Sequence, residues 1–369
     1  MAVRRKAAFM VTVGGRPVSS AFNRLLTEIQ VTDSAGQTAD TAAILLSDKG
    51  GVILLPSKND PLQIALGWEG GTLGVVFDGK IEEVRSTGGR SQGRMLSISA
   101  KSADTDSKIK EHREKHWDDS TLGDVMQDAG GYAGVSVRVH PSLASIKRDW
   151  WGMNGQSFIA FGDKIAREVG GTFKIRNNQA ILVPRNEGIG AGGAALTTIT
   201  AQWGRNLIEW DLTPARGRPQ FSSFATRWYD YAKAKWNRKS VNGQQEAQSA
   251  STDRYSEYDE DTAGNRAGSS KKGGDREKGG GTVVIDGEPN AKAEANCNVI
   301  GARPGIDGTY RIDSAKHQYS RRGGYVTSLT VKEPDGDAGT DGRTPTDGGG
   351  GSSGGTPEAG QAAGAGNVG

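Results

Sequence analysis

Between residues 7 and 105, apolar side chains recur at every second position in short runs. Leu62, Ile64, Leu66 and Trp68 alternate in LQIALGW, Leu96, Ile98 and Ala100 alternate in MLSISA, and Leu25, Ile29 and Val31 share one face of LLTEIQVTD. A period of two puts such residues on one face of a strand and scatters them around a helix. Glycine pairs and an Asp-Gly step interrupt the runs, at Gly14-Gly15, Gly70-Gly71, Asp78-Gly79 and Gly88-Gly89. Short strands with turn signals between them predict a small barrel or sandwich. Phe9, Val11 and Val13 also alternate, so MAVRRKAAFMVTVGG reads as a first strand, despite a faint likeness of its basic start to a signal peptide.

The period changes over residues 118–186. Leu122, Val125, Met126 and Ala129 follow helical spacing, with Ser120 or Thr121 as the cap and Gly130-Gly131 as the stop. Phe158, Phe161, Ile165 and Val169 form a second stripe, stopped by Gly170-Gly171. Each helix leads into a strand, VSVRV at 135–139 and TFKIR at 172–176, and the latter turns at Asn177-Asn178 into AILVP. Alternation returns over 199–333, at Ile208, Trp210 and Leu212, at Phe224, Thr226 and Trp228, and at Tyr325, Thr327, Leu329 and Val331. The expected fold class is therefore mainly β with an α+β insert. A first β domain, a small barrel or sandwich, occupies 1–105, a connector and small α+β domain 106–190, and a second β domain 191–335. Residues 240–281 are polar, mixed in charge and nearly free of aliphatic side chains, so they are expected to form a long loop that cannot order itself alone. Residues 336–369 are expected to be a disordered Gly-rich tail.

Much of the glycine, 55 of 369 residues, is crowded into 264–281 and 336–369, which leaves the remainder with ordinary globular composition. A net charge of +3 is too mild to argue by itself for a nucleic-acid partner. The single cysteine, Cys297, excludes an internal disulfide and reads as a small packing residue between Asn296 and Asn298. No run approaches the ~20 apolar residues that span a bilayer, so membrane insertion is not expected.

The stretch HREKHW, residues 112–117, raises the question of a metal. On a helix His112 and His116 would share a face, but Glu114 would point roughly 200° away from His112. Lys110, Arg113 and Lys115 surround the pair with positive charge, and His140 and His317 fall in other regions. The segment is better read as a polar connector leaving the first β domain. Elsewhere there is no Gly-x-Ser-x-Gly elbow, and GIGAGGAAL at 188–196 does not open a helix. Asp118, Asp119 and Asp124 offer carboxylates for glycoside hydrolysis without any two being set apart. The adjacent Trp150 and Trp151 would point to opposite faces of a strand, one to the core and one to a surface or partner. Trp203, Trp210, Trp228 and Trp236 read first as packing residues. No catalytic, cofactor-binding or metal-binding residues are assigned, and no cofactor is expected.

Three stretches taken together resemble the phage late control D family, the tail hub proteins of contractile-tailed phages. ARPGIDGTYRIDSAKHQYSRRGGYVTSLTVKEP, residues 302–334, is similar to the family's closing strands through Asp307, Gly308, Tyr310, His317, Tyr319, Ser320, Gly324, Tyr325 and Thr327. Gln156, Ser157, Phe161, Ile165, Ala166 and Gly170 match its middle helix and hairpin. VTDSAGQTADTAAILLSD carries its Asp-x-x-Gly-x-x-x-Asp pattern, and LPSKNDPLQIALGW its Pro-to-Gly-Tyr pattern, with Asn59-Asp60-Pro61 in place of the usual glycine before Leu62. Residues 240–281 replace a stretch that in many relatives carries a helix. The likeness covers roughly residues 7–334.

This resemblance implies two barrel-like domains flanking an insert, and a structural protein with no active site. It implies a homotrimeric ring in the virion baseplate, joining a hexameric tail tube protein to a trimeric central spike protein, with the tape measure and other baseplate proteins as further neighbours and DNA only in transit. Before assembly the protein would reside in the host cytoplasm. In such a ring the lumen should be poor in Lys and Arg, and 240–281 should lie at an end or outside. The competing classes are a baseplate-associated peptidoglycan-degrading enzyme and a carbohydrate- or peptide-binding module using the tryptophans.

Overall fold

The computed structural model describes residues 6–343, except 36–38, 92, 104–107, 177, 191–193, 215–220, 245–246 and 336–337. The chain is mostly strand with a few helices. The first region holds β1 (Ala7–Val13), β2 (Arg16–Pro17), α1 (Ser19–Leu25), β3 (Leu26–Ser34), β4 (Thr41–Ser47), β5 (Pro61–Trp68), β6 (Gly74–Gly89) and β7 (Gly93–Lys101). The middle holds β8 (Arg113–Thr121), α2 (Leu122–Ala133), β9 (Ser136–Val139), α3 (Pro141–Ala144), β10 (Lys147–Gln156), α4 (Phe158–Val169), β11 (Gly171–Arg176) and β12 (Gln179–Pro184). The last holds β13 (Ile199–Gln202), β14 (Leu207–Thr213), β15 (Ser223–Asp230), β16 (Lys235–Asn242), β17 (Ala250–Thr252), α5 (Glu260–Arg276), β18 (Gly280–Asp286), β19 (Asn296–Ile300), β20 (Gly308–Ser320) and β21 (Gly324–Asp335).

The two β regions share one sheet of 13 strands. Its path runs β14-β18-β21-β20-β3-β4-β7-β6-β5-β1-β2, with β13 and β19 attached beside β20. The join is β20. Its first half pairs with β19 from Asn296↔Arg311 to Val299↔Gly308. Its second half pairs with β3 from Ser320↔Glu28 to Ser314↔Ser34. At the far end of the second region, a bridge between Trp203 and Leu207 brings β13 beside β14.

Alternation explains the cores. Val11, Ile29, Val31, Ile44, Ile64 and Ile98 are fully buried in the first, and Val283, Cys297, Tyr310, Leu329 and Val331 in the second. Tyr325, on the second-region strand β21, buries in the first core. The two cores are thus interlocked through one hairpin, and separating them would expose aromatic surface on both sides.

The middle region has its own core. Leu122, Val125 and Met126 of α2 meet Phe161 and Ile165 of α4, with Trp151 beneath them. Trp151 is buried and Trp150 is half-exposed, as strand alternation requires. Thr121 caps α2 by accepting from Asp124 N at 3.3 Å, and Ser157 caps α4 by accepting from Ala160 N at 3.3 Å. Gly170 ends α4 in the left-handed region, at φ 68°. Gly130-Gly131 does not end α2. The helix continues to Ala133 and stops at Gly134, φ 74°. Gly130 instead lets the helix press on β9, where a Cβ would collide with Val137. Gly130→Ala is expected to destabilise the chain by about 2 kcal/mol, as overpacked cores do, read as a lower midpoint in urea.

Four other expectations need correction. Asp78-Gly79 is no turn, since β6 runs straight through it and Gly79 lies against the Lys101 carbonyl of β7. Ile208 is exposed because the β14–β18 register shifts between Leu207 and Glu209, which turns its side chain outward. Phe224, Thr226 and Trp228 lie in a separate sheet of order β16-β15-β17. Residues 240–281 are not one polar loop, because they contain β17 and α5. This helix packs through small residues. Ala263 and Ala267 are fully buried, and Ser269 donates to the Arg167 carbonyl at the end of α4 at 2.6 Å. Asp259 caps it by accepting from Thr262 N at 2.6 Å. The helix needs no aliphatic stripe of its own, because the neighbouring Phe224 of β15 packs against Gly274.

Of the tail, residues 336–337 and 344–369 lie outside the described residues. Of residues 338–343, only Ala338 is partly buried, and 339–343 are exposed. Ala338 rests on the second core, and Gly339 N donates to the Gly305 carbonyl at 2.9 Å. A chain cut after Asp335 is expected to melt a few degrees below one cut after Arg343, corresponding to about 1 kcal/mol.

Candidate functional site

HREKHW falls largely on a strand. Along β8, Glu114, His116 and Asp118 point to solvent, while Arg113, Lys115 and Trp117 are half-buried against α2. Period two therefore puts Glu114 on the same side as His116, unlike the helical reading. The nearest partner of His116 is Asp118, Nε2 to Oδ2 3.8 Å, with both side chains 68% exposed. Among the described residues, no group of three or more His, Cys, Asp or Glu is placed to hold a metal ion. The half-buried side is more ordered. Asp128 accepts from Lys115 Nζ at 2.6 Å and from Trp117 Nε1 at 2.7 Å. The hydrogen bond from Lys115 holds the Asp128 carboxyl below its ordinary range. Lys115 also lies 4.4 Å from the Tyr132 ring centroid, beside a hollow of about 230 Å³ floored by Ala129, Met153 and Phe158.

The strongest chemistry lies where the three regions meet. Asp33 is the last residue but one of β3 and Asp40 precedes β4, and both are nearly inaccessible. Lys174 and Arg176 lie two apart on β11, on one face. Lys174 Nζ bonds Asp33 and reaches Asp40 Oδ1 at 2.5 Å, while Arg176 reaches Asp33 Oδ2 at 2.7 Å and Asp40 Oδ2 at 2.6 Å. Each cation spans both carboxylates, so charge balances within the cluster. Burial raises the Asp33 carboxyl, but Lys174 and Arg176 more than reverse that and leave it well below the usual range. Ala293 N also donates to Asp33 Oδ2 at 3.3 Å, which ties in the second β region.

A second joint fastens α5. Arg276, the last residue of that helix, meets Glu294 Oε1 at 2.9 Å, Asp313 Oδ1 at 3.0 Å and Asn186 Oδ1 at 3.0 Å. Arg311 donates to the Asn186 carbonyl at 2.7 Å and the Glu294 carbonyl at 3.1 Å.

The third element is a buried polar knot. His317 and Thr327 are opposite one another on β20 and β21. His317 Nε2 lies 3.1 Å from the Ala291 carbonyl, which can only accept, so Nε2 carries the proton. Nδ1 then accepts from the Tyr325 hydroxyl at 2.9 Å. Thr327 Oγ1 accepts from Glu288 N at 2.9 Å. Burial pulls the His317 pKa down to about 4, so the ring is neutral at neutral pH.

These joints give physical meaning to the quoted patterns. The spaced aspartates Asp33 and Asp40 are the anionic half of the junction. The His-x-Tyr-Ser and Gly-Tyr-x-Thr strands are the two sides of the knot. The family patterns do not include the cationic half, whose signal in the sequence is Lys174 and Arg176 at alternate positions in a largely apolar hairpin. Cys297 is fully buried with its thiol pushed up to about 12, as a packing residue's would be.

No model of a known protein family matches the chain. It is 27% identical over 194 residues to a probable baseplate hub protein of Escherichia phage P2, and 26% identical over 193 residues to that of Escherichia phage 186. Each match covers 52% of this chain and 49% of the relative. The chain thus spans about half the length of the curated relatives it matches. Among solved structures, the 43 kDa tail protein of prophage MuSo2 from Shewanella oneidensis superposes with a TM-score of 0.63 at 13% identity, over 89% of this chain and 98% of that one. The chain therefore has the fold of phage tail proteins, and its resemblance to phage hub proteins holds in sequence as well.

Proposed function

We propose, for a chain with the fold of phage tail proteins and a sequence similar to baseplate hub proteins, that it is a structural hub which joins a hexameric tail tube to a trimeric central spike as a ring of three copies around the DNA channel. The observation that carries this reading is the β3–β20 pairing, which sets two β bodies side by side in one chain. Three such chains offer six β bodies to a sixfold tube and keep true threefold symmetry for a spike. The ionic junction and the buried knot suit this role, because they hold the two bodies at a fixed angle. A lumen that passes DNA should be poor in Lys and Arg, which would bind phosphate at low salt.

Light scattering on the purified chain tests the assembly. The expected mass is three times 38.9 kDa, and a monomer at every concentration would count against it. Peptidoglycan zymography addresses the enzyme class, for which no clearing is expected. Clearing lost on substitution of a carboxylate would favour the wall-degrading reading instead.

A further inference from the structure

The β15–β16 hairpin is charged and aromatic in a way that neither the core nor the hub reading uses. We propose that it is a docking arm for an acidic, extended segment of another protein. From Tyr231 to Ser240 every residue except Asn237 is exposed. The sequence RWYDYAKAKWNRK, residues 227–239, carries five cations against one carboxylate. One face of the hairpin looks toward α5: Phe224 lies against Gly274, and Lys239 pairs with Glu260 at 2.6 Å. Alternation then sends Arg227, Tyr229, Trp236 and Arg238 to the opposite, outer face.

On that outer face Arg227 sits directly across from Arg238, and Tyr229 across from Trp236. Like charges facing one another in a strand pair are destabilising. Arg238 donates to Thr252 Oγ1 at 3.1 Å, and Arg227 meets no carboxylate among the described residues. A carboxylate placed between the two guanidiniums would relieve the repulsion with charge-assisted bonds. The aromatic tip supplies an anchor. Tyr229 makes edge contacts with Tyr231 at 5.0 Å and with Trp236 at 5.2 Å, while Tyr231 is 79% and Trp236 59% exposed. Rigid, exposed aromatics of this kind are typical interface anchors.

The backbone adds a third element. β16 is an edge of its sheet, and among the described residues no strand pairs with its outer side, which can therefore accept one. Lysines on an edge commonly guard against pairing with a like edge. That accounts for Lys235 and Lys239 but not for the opposed arginines or the tip. A second copy of β16 would bring cations against cations and is disfavoured. An acidic strand meets both the charge and the edge. Nucleic acid fits less well, because Tyr229, Tyr231 and Trp236 pack against each other and offer no open row of rings for bases.

The test uses the full chain at low salt with three probes: a synthetic peptide alternating Glu and Val, the same peptide with Lys for Glu, and duplex DNA. The Glu-Val peptide is expected to bind and to slow amide exchange along β16. Arg227→Gln and Arg238→Gln should each weaken that binding at least about tenfold, with a melting temperature unchanged or higher. Absence of Glu-Val binding, equal binding of the Lys-Val peptide, indifference to both substitutions, or tighter binding of DNA with the same arginine dependence would each overturn the inference. It stands on the hairpin alone, so none of these outcomes bears on the ring.

Discussion

Replacing Asp33 by alanine is expected to destabilise the chain by about 3–5 kcal/mol, the usual cost of leaving a buried charge without its partner. The substitution removes one of the two carboxylates that Lys174 and Arg176 span, and Lys174 is only 14% exposed. It also removes the acceptor for Ala293 N, so all three regions lose a tie at one point. Asp33→Asn should fall between, because the amide keeps an acceptor oxygen but not the charge. A double-mutant cycle with Lys174→Met separates the pair from the rest. If the double variant is no less stable than Asp33→Ala alone, the stranded cation was the main cost. Urea unfolding measures this, and a loss under about 1 kcal/mol would show that the cluster behaves like a surface pair.

The second large effect depends on pH. The His317 pKa falls to about 4 in the folded chain, against about 6.5 in the unfolded one. Above about pH 6.5 the ring is neutral in both states and the fold keeps its full stability. Below that the unfolded chain takes up a proton that the folded chain refuses, so stability falls until the pH reaches about 4. The total is about 3 kcal/mol. His317→Gln should be less stable at neutral pH, but its stability should fall less steeply between about pH 6.5 and 4. Tyr325→Phe, which removes the donor to Nδ1, should cost about 1–2 kcal/mol at neutral pH. Equal slopes in wild type and His317→Gln would place the titrating group elsewhere.

Strand periodicity made the β regions legible because most of their strands bury one face. The two longer helices of the middle region, α2 and α4, were legible from the stripes at Leu122–Ala129 and Phe158–Val169. Helix α5 was not, because it buries Ala263 and Ala267 and fastens itself by Arg276 rather than by large apolar residues. The sharing of one sheet was equally hidden. Alternation says that β20 has a buried face but not that its two halves pair with different strands. The junction was half legible: Asp33, Asp40, His317, Tyr325 and Thr327 stood out as a pattern without a mechanism. The partners of the two aspartates come from a strand far along the chain, and only the fold brings Lys174 and Arg176 to them.

The most direct test of the hub reading is an electron cryo-microscopy reconstruction of the intact particle with this protein labelled. Three copies are expected at the junction of tube and spike, with their β bodies forming a pseudo-sixfold ring around an open channel and α5 away from the bore. A label found outside the tail, six copies at that junction, or α5 packed inside the channel would contradict it.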